Sequence, residues 1–501
     1  DALKTIIGDL KFLYNNTAVI GGFLELSAIG GSLEFRGNSG SIMGFNKLNS
    51  IGNVLYFYEN KNLININGFS SLETIGSWFS VYGNEVVTTL SGFNNLISVG
   101  GNMSFNGNYK LAAISEFNNL KTIQGDLTFR ENALTNIDGF NSLNTSVRNI
   151  NISHNNKLKS IGGFNSVEIL SGGLGIENNN TLTKISGFNK LNQISAGLSV
   201  EDNITLSEIT GFNLLQHIEG NVNLKTNSID DFSGFNTLKT INGYFFIANN
   251  TGTTNLNAFN ELESITGPFN IYKSNMTGIS GFNKLISIEA FSIESSSMID
   301  LTGFTNLEKT ERHFKLWNNE NLEHLNGFNS LISCGYFELY ANGITELSGF
   351  NKLDSIKGTL SIRYNRKLMS LEGFQKLKSI ENAAQFSGNE KLKIISGFNS
   401  LNSIVLGNSY GIGMGFWGNS ALETISGFNN LDKINGHLII NGHPLLKDIS
   451  GFNNLKLVEE LEFQEIGLVD FSDLNNLETI SKRLTVSHSP ELISFDGLEN
   501  V

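Results

Sequence analysis

A phenylalanine returns at a nearly constant interval along the whole chain. It stands at Phe23, Phe45, Phe69, Phe93, Phe117, Phe140, Phe164, Phe188, Phe212, Phe235, Phe259, Phe282, Phe304, Phe328, Phe350, Phe374, Phe398, Phe428 and Phe452, and Leu474 and Leu498 take its place at the end. Of the 20 intervals between these 21 anchors, 12 are 24 residues, seven are 22 or 23, and one, from 398 to 428, is 30. A steady period of roughly 20 to 30 residues marks a stack of similar turns, because one such turn cannot bury its apolar face alone. Repetition also favours a surface over a single reaction centre.

Aligned on the anchor, the turns read G-F-N-x-L-x-x-I-x-G-x-L-x-I-x-x-N-x-x-L-x-x-I-S. The central L-x-I alternates with period two, as in a strand with one buried face. Leu33/Phe35, Leu55/Phe57, Leu127/Phe129, Leu198/Val200, Val222/Leu224 and Leu360/Ile362 are instances. The flanking L-x-x-I pairs are too short for helices and predict short strands or extended arcs. Glycine before the anchor and before the strand predicts positive-φ corners. The anchors Phe45, Phe69, Phe93, Phe188 and Phe212 are expected to point inward and stack ring on ring. Each contributes roughly 1.5 to 3 kcal/mol of burial. An Asn follows most strands, including Asn60, Asn84, Asn108 and Asn203. Such a side chain can bond the backbone of its own and the adjacent turn and so close the corner. No acidic cluster accompanies these Asn residues, so they are read as a structural ladder and not as metal ligands.

The expected fold is an all-β, right-handed parallel solenoid of about 21 turns of ~24 residues with little or no helix. At about 4.8 Å per stacked strand it would be a rod of roughly 100 Å. Length alone would suggest roughly three domains, but the unbroken period predicts one continuous solenoid over residues 1–501. The ends match the middle of a turn and carry no polar cap, which suggests a segment of a longer protein or a unit that stacks end to end. The long interval predicts an insertion loop at 405–411, with Tyr410 as a bump beside Trp417.

Hydrophobic residues make up 40% of the chain, enough for a continuous core, whereas charged residues are only 16%. The 34 basic residues lie scattered among 47 acidic ones, for a net charge of −13. No basic stripe is present to release counterions, so nucleic acid is not an expected partner. Cys334 is the single cysteine, which rules out an internal disulfide. No apolar run of about 18 residues exists, so no membrane span is expected.

The strand followed by Asn resembles a leucine-rich repeat, and the whole turn is similar to the L domains of receptor ectodomains. It most resembles the repeat arrays of surface proteins of Bacteroidetes-type bacteria, which read G-L-x-x-L-x-x-I-G-G-x-L-x-I-x-x-N. The resemblance covers essentially all 501 residues, although Phe stands where the family's commonest residue is Leu. It implies export and display at a bacterial cell surface.

Recognition would lie at the outward strand positions. Tyr56, Tyr58, Tyr82, Tyr272, Trp317, Tyr340 and Trp417 are the candidates, mixed with Arg36, Glu294, Arg363 and other charges. Exposed aromatics could stack on sugars or dock proteins, and Tyr56, Tyr58 and Tyr82 lie together on consecutive turns. No catalytic constellation stands out. The seven His residues show no metal-type pairing, and no G-x-S-x-G, P-loop or dinucleotide fingerprint occurs. Glu459, Glu460 and Glu462 are the nearest approach to a carboxylate pair, and Cys334 reads as a small corner residue. No cofactor or metal is implied. The expectation is a non-enzymatic extracellular adhesin or surface-display protein that binds proteins, glycans or surfaces. Alternatives are a filament or sheath subunit using end-to-end or lateral self-association, and a leucine-rich ligand receptor.

Overall fold

A computed structural model describes residues 3–114, 116–252, 255–347, 349–405 and 411–501. The chain forms two compact units, Asp1–Gly252 and Thr253–Val501. Each is an all-β parallel solenoid in which the described helix is confined to three-residue 3-10 turns such as Ser233–Phe235 and Asn326–Phe328.

In the first unit every turn adds one strand to a long-strand sheet, in register with its neighbours. Leu55–Tyr58 pairs with Phe79–Tyr82, and that strand with Met103–Asn106, so that Leu55, Phe79 and Met103 form one column and Tyr58, Tyr82 and Asn106 another. Alternation follows the L-x-I pattern: Leu55 and Phe57 are buried, while Tyr56 and Tyr58 are partly exposed. Two-residue strands on either side build further small sheets. Ser50–Ile51, Thr74–Ile75 and Ser98–Val99 stack ahead of the long strands. Ser160–Ile161, Lys184–Ile185 and Glu208–Ile209 stack after them.

The second unit uses the same plan with a local change. Where Glu311 and Arg312 stand in place of the usual glycine corner, the short and long strands fuse into Lys309–Trp317, and a bulge interrupts its pairing between Thr310 and His313. A bulge absorbs the extra residue while leaving Phe314 and Leu316 facing inward. The 30-residue interval does not disturb the stack, because Phe386 still pairs with Phe416, and Asn389 N donates to Asn419 Oδ1 at 2.9 Å. Residues 406–410 of the expected insertion, Tyr410 among them, lie outside the described residues.

Two columns of rings fill each interior. Anchor rings lie nearly parallel: Phe164 to Phe188 at 4.9 Å and Phe188 to Phe212 at 5.3 Å between centroids. Strand rings form the second column, with Phe35 and Phe57 5.1 Å apart, and Phe57 meets Phe69 edge-on at 5.9 Å and 86°. In the second unit Phe282 and Phe304 stack at 5.3 Å, and Phe291 meets Phe304 at 83°. Parallel and perpendicular contacts both suit the ring quadrupole.

The Asn side chains run as a buried ladder beside the rings. Asn60 Nδ2 donates to Phe35 O at 3.0 Å and to Asn84 Oδ1 at 2.9 Å, and the Asn60 amide N–H reaches the same oxygen at 3.2 Å. Asn203 repeats this with Ile176 O at 2.8 Å and Asn227 Oδ1. The bonds satisfy corner groups that water cannot reach. Ser274, Ser296 and His443 occupy rungs in the second unit. The His443 ring sits with Nδ1 3.1 Å from Asn419 O, and burial pushes its pKa down.

The glycine expectation needs correction. Gly44, Gly68 and Gly92 do take positive φ before their anchors, but at Gly187 the left-handed residue is Phe188 itself, with φ of 61°. Gly187 is required by close approach, since a Cβ there would lie 2.2 Å from Gly163 O in the turn below. Gly76, ahead of a strand, is likewise a site of close approach, with Gly52 O 2.1 Å from where its Cβ would be. The regular left-handed corner is the residue before each ladder Asn, where Glu59, Glu131, Asp202 and Thr226 all have φ near 50°. Cys334 is also not at a corner. It lies inside the strand Ser333–Tyr340, buried in the column of Thr310 and Ile356, and burial pushes its thiol pKa far up.

Two replacements should separate these contributions. Phe188→Ala removes a ring from the middle of its column and is expected to cost about 3 to 5 kcal/mol, read from denaturant melts followed by circular dichroism. Asn203→Ala strands the Ile176 carbonyl and the Asn179 N–H, which donates to Asn203 Oδ1 at 3.0 Å. At about 1 to 3 kcal/mol for each buried unsatisfied group, that loss should rival the missing ring. A melt unchanged from the parent chain in either variant contradicts the corresponding assignment.

Candidate binding face

The outward side of each long-strand sheet carries the candidate residues, because alternation sends every second side chain of the strand away from the core. In the first unit the fourth strand position reads Arg36, Tyr58, Tyr82 and Asn106 along one column. The Tyr58 and Tyr82 rings stack at 5.0 Å and 13°. Arg36 Cζ lies 4.9 Å from the centre of the Tyr58 ring and 5.9 Å from that of Tyr14, so a cation sits between two rings. Its Nε is buried without a hydrogen-bond partner. The Glu59 carboxylate and partial desolvation push the Tyr58 phenol above its ordinary pKa; burial, aided by Glu34, does the same for Tyr56.

Beside this stack is a groove of about 390 Å³ lined by Tyr56, Tyr58, Trp78, Phe79, Ser80, Tyr82, Asn102 and Ser104. Trp78 is 50% exposed and lies over Gly101, where a Cβ would come within 2.4 Å of its ring. The small neighbour in the next turn therefore sets the posture of the indole.

The second unit holds a related stack whose cations are ion-paired. Trp317 and Tyr340 are 5.2 Å apart, and Tyr340 and Tyr364 meet edge-on at 5.3 Å. Lys315 Nζ is 3.7 Å from the Trp317 ring centre and 2.7 Å from Glu294 Oε1, while Arg363 Nη2 bonds Glu338 Oε1 at 2.9 Å. A wider groove of about 670 Å³ follows, with Tyr340, Tyr364, Glu320, Arg366 and Lys367 among its walls.

The structure thus brings Tyr58 and Tyr82 into contact beside Tyr56, and Trp317 into contact with Tyr340. It leaves Tyr272 and Trp417 apart from these stacks. Tyr272 pairs in register with Glu294 and has Lys273 Nζ 5.1 Å over its ring, and Trp417 lies between Ser387 and Asn441. Sequence reasoning missed Tyr14, Trp78 and Tyr364, because it considered only positions inside the strand. Trp78 is the residue before the strand, while Tyr14 and Tyr364 are left-handed corner residues with φ of 56° and 57°. The usable signal is an aromatic at either edge of an L-x-I segment.

Of the acidic residues considered as a carboxylate pair, Glu459 and Glu460 are occupied by cations of adjacent turns. Glu459 bonds Lys482 and Glu460 bonds Arg483, both at 2.6 Å, and His437 Nε2 is 3.4 Å from Glu460. Among the described residues no three His, Cys, Asp or Glu side chains converge as a metal site would require. No described helix is long and apolar enough to cross a membrane. Buried Cys334 should resist a thiol-specific reagent in the native chain and react fully once the chain is unfolded. Rapid native labelling in a time course with iodoacetamide would contradict its place in the core.

No protein-family model and no curated protein matches the chain. Among solved structures, it is similar to a leucine-rich repeat protein from Bacteroides ovatus at 14% identity and a TM-score of 0.37, over 70% of this chain and 82% of that one. The TLR13–ssRNA13 complex aligns at 14% identity and 0.24, over 92% and 85%. The Toll–Spatzle complex of Drosophila aligns at 13% identity and 0.27, over 94% and 90%.

Proposed function

We propose that this chain is a non-enzymatic binding protein of the extracellular surface, an adhesin or display module that engages proteins, glycans or surfaces through the outward side of its long-strand sheets. The observation that carries this reading is the pair of cation–aromatic stacks, one in each unit, around Tyr58 and Tyr82 and around Trp317 and Tyr340. Aromatic side chains present a large contact area at small cost in rotamer freedom, and they dominate the energetics of recognition surfaces. The buried positions repeat Leu, Ile and Phe from turn to turn. Their outward neighbours vary, as in the row Tyr56, Ser80, Ser104 and Thr128. A constant interior with a variable exterior suits a scaffold that displays different contacts along its length. The extracellular setting rests on the resemblance of the repeat to bacterial surface proteins.

Beads coated with the chain should be retained on epithelial cell layers and on immobilised matrix proteins or mucin. Replacing Tyr58 and Tyr82 together with Trp317 and Tyr340 by Ala should lower retention at least ~10-fold, the loss expected when interface anchors are removed, with no change in the melting transition. Retention that is absent for the parent chain, or unchanged in the four-residue variant, overturns the reading.

A further inference from the structure

The groove beside Trp78 differs from the rest of the binding face in what it lacks. None of the side chains that line it is charged, although the face around it carries Arg36, Glu34 and Glu59. Its opening follows from the register. Tyr56 is followed in its column by Ser80 and Ser104, and Tyr58 and Tyr82 by Asn106, so the surface steps down after two tall aromatic positions. Tyr58 covers one face of the Tyr82 ring, which leaves the other turned toward Asn106 and the groove. Trp78 forms the opposite wall, half-exposed and held over Gly101. The floor offers the hydroxyls of Ser80 and Ser104, and the amide of Asn102 stands at the edge with its Oδ1 engaged by the Asp126 N–H at 2.9 Å.

From this arrangement we infer that the Trp78–Tyr82 groove is a binding site for neutral glycan chains built of pyranose sugars; the inference rests on the surface-binding reading above and names the ligand class of that face. Three features select this class. The C–H faces of a pyranose pack on aromatic walls, while its hydroxyls need neutral donors and acceptors such as Ser and Asn. An anionic or cationic ligand would find no counter-charge among the side chains that line the groove, and burying it so is costly. A peptide could not add to the sheet here, because Phe79–Tyr82 is already paired on both sides and has no free edge. A volume of about 390 Å³ falls within the usual range of ligand clefts. The stack in the second unit, with Lys315, Glu294, Glu338 and Arg363 on it, lacks this neutrality and is not assigned the same ligand.

Native gels cast with soluble neutral polysaccharides (a β-glucan, a galactomannan, a xylan and glycogen) test this, with polygalacturonate and poly-L-proline as the charged and peptide comparators. The protein used is the full chain carrying Trp317→Phe and Trp417→Phe, so that Trp78 is the sole indole. At least one neutral polysaccharide should retard migration and shift the Trp78 emission. Trp78→Ala and Tyr82→Ala should each weaken that retardation at least ~10-fold. Ser104→Trp, which fills the groove at a position where two other turns hold Tyr56 and Phe246, should do the same with an unchanged melt. Failure of every neutral polysaccharide overturns the inference. So does equal retardation of the parent, Trp78→Ala and Ser104→Trp chains, or retardation only by polygalacturonate or poly-L-proline. If beads still adhere to cells through the aromatic stacks while these gels show nothing, the glycan assignment falls and the surface-binding reading stands; loss of both removes both.

Discussion

Everything in each unit depends on one turn lying directly on the next, with the groups between them buried. Backbone groups at the corners then have no solvent to bond, and their partners must come from the chain itself. The Asn column supplies them. One amide group donates to a carbonyl of the preceding turn while its oxygen accepts from the neighbouring rung, as Asn203 does between Ile176, Asn179 and Asn227. Rings on one side and amides on the other give the stack an apolar half and a hydrogen-bonded half. Neither substitutes for the other, since a ring cannot satisfy a carbonyl and an amide cannot fill the space of a ring.

This packing also explains why local conformation is strained at some positions and ordinary at others. A Phe in the left-handed region is disfavoured by roughly 1 to 2 kcal/mol, yet Phe164, Phe188 and Phe212 all adopt it. They are held there by the stacked rings above and below, and by amide bonds such as Phe188 N–H to Gly163 O at 3.1 Å. Where the chain instead makes a 3-10 turn, as at Ser233–Phe235, the ring still reaches its column, with Phe212 and Phe235 5.6 Å apart. The interior tolerates several backbone routes to the same ring position.

Much of this was legible in the residues. The period, the inward Phe and Leu, the strand alternation and the Asn after it each have a chemical signature that survives repetition. The left-handed corner before Asn was only partly legible: Gly37, Gly83, Gly107, Asn178 and Asn249 are residue types that accept positive φ, but Tyr14, Glu59, His154 and Thr226 share no side-chain property, and there only the ladder after them imposes the conformation. The role of glycine was misjudged for the same reason. Gly187 is selected by a carbonyl 24 residues away, and a single turn read alone does not contain that carbonyl. Cys334 looked like a corner because its column partners, Thr310 and Ile356, lie one turn to either side. On the binding face, Tyr58 and Tyr82 could be picked out as strand residues, whereas Trp78 and Tyr364 reach the face from outside the strand.

The seating of Trp78 over Gly101 has a consequence for how such a face can change. The indole belongs to one turn and the space it occupies to the next, so the smallest heritable unit of recognition is a pair of turns in fixed order. Copying a single turn to a new place would carry the tryptophan without its seat. A duplication that preserves the groove must therefore include both, and shuffling of single turns would erase binding while leaving the stack intact.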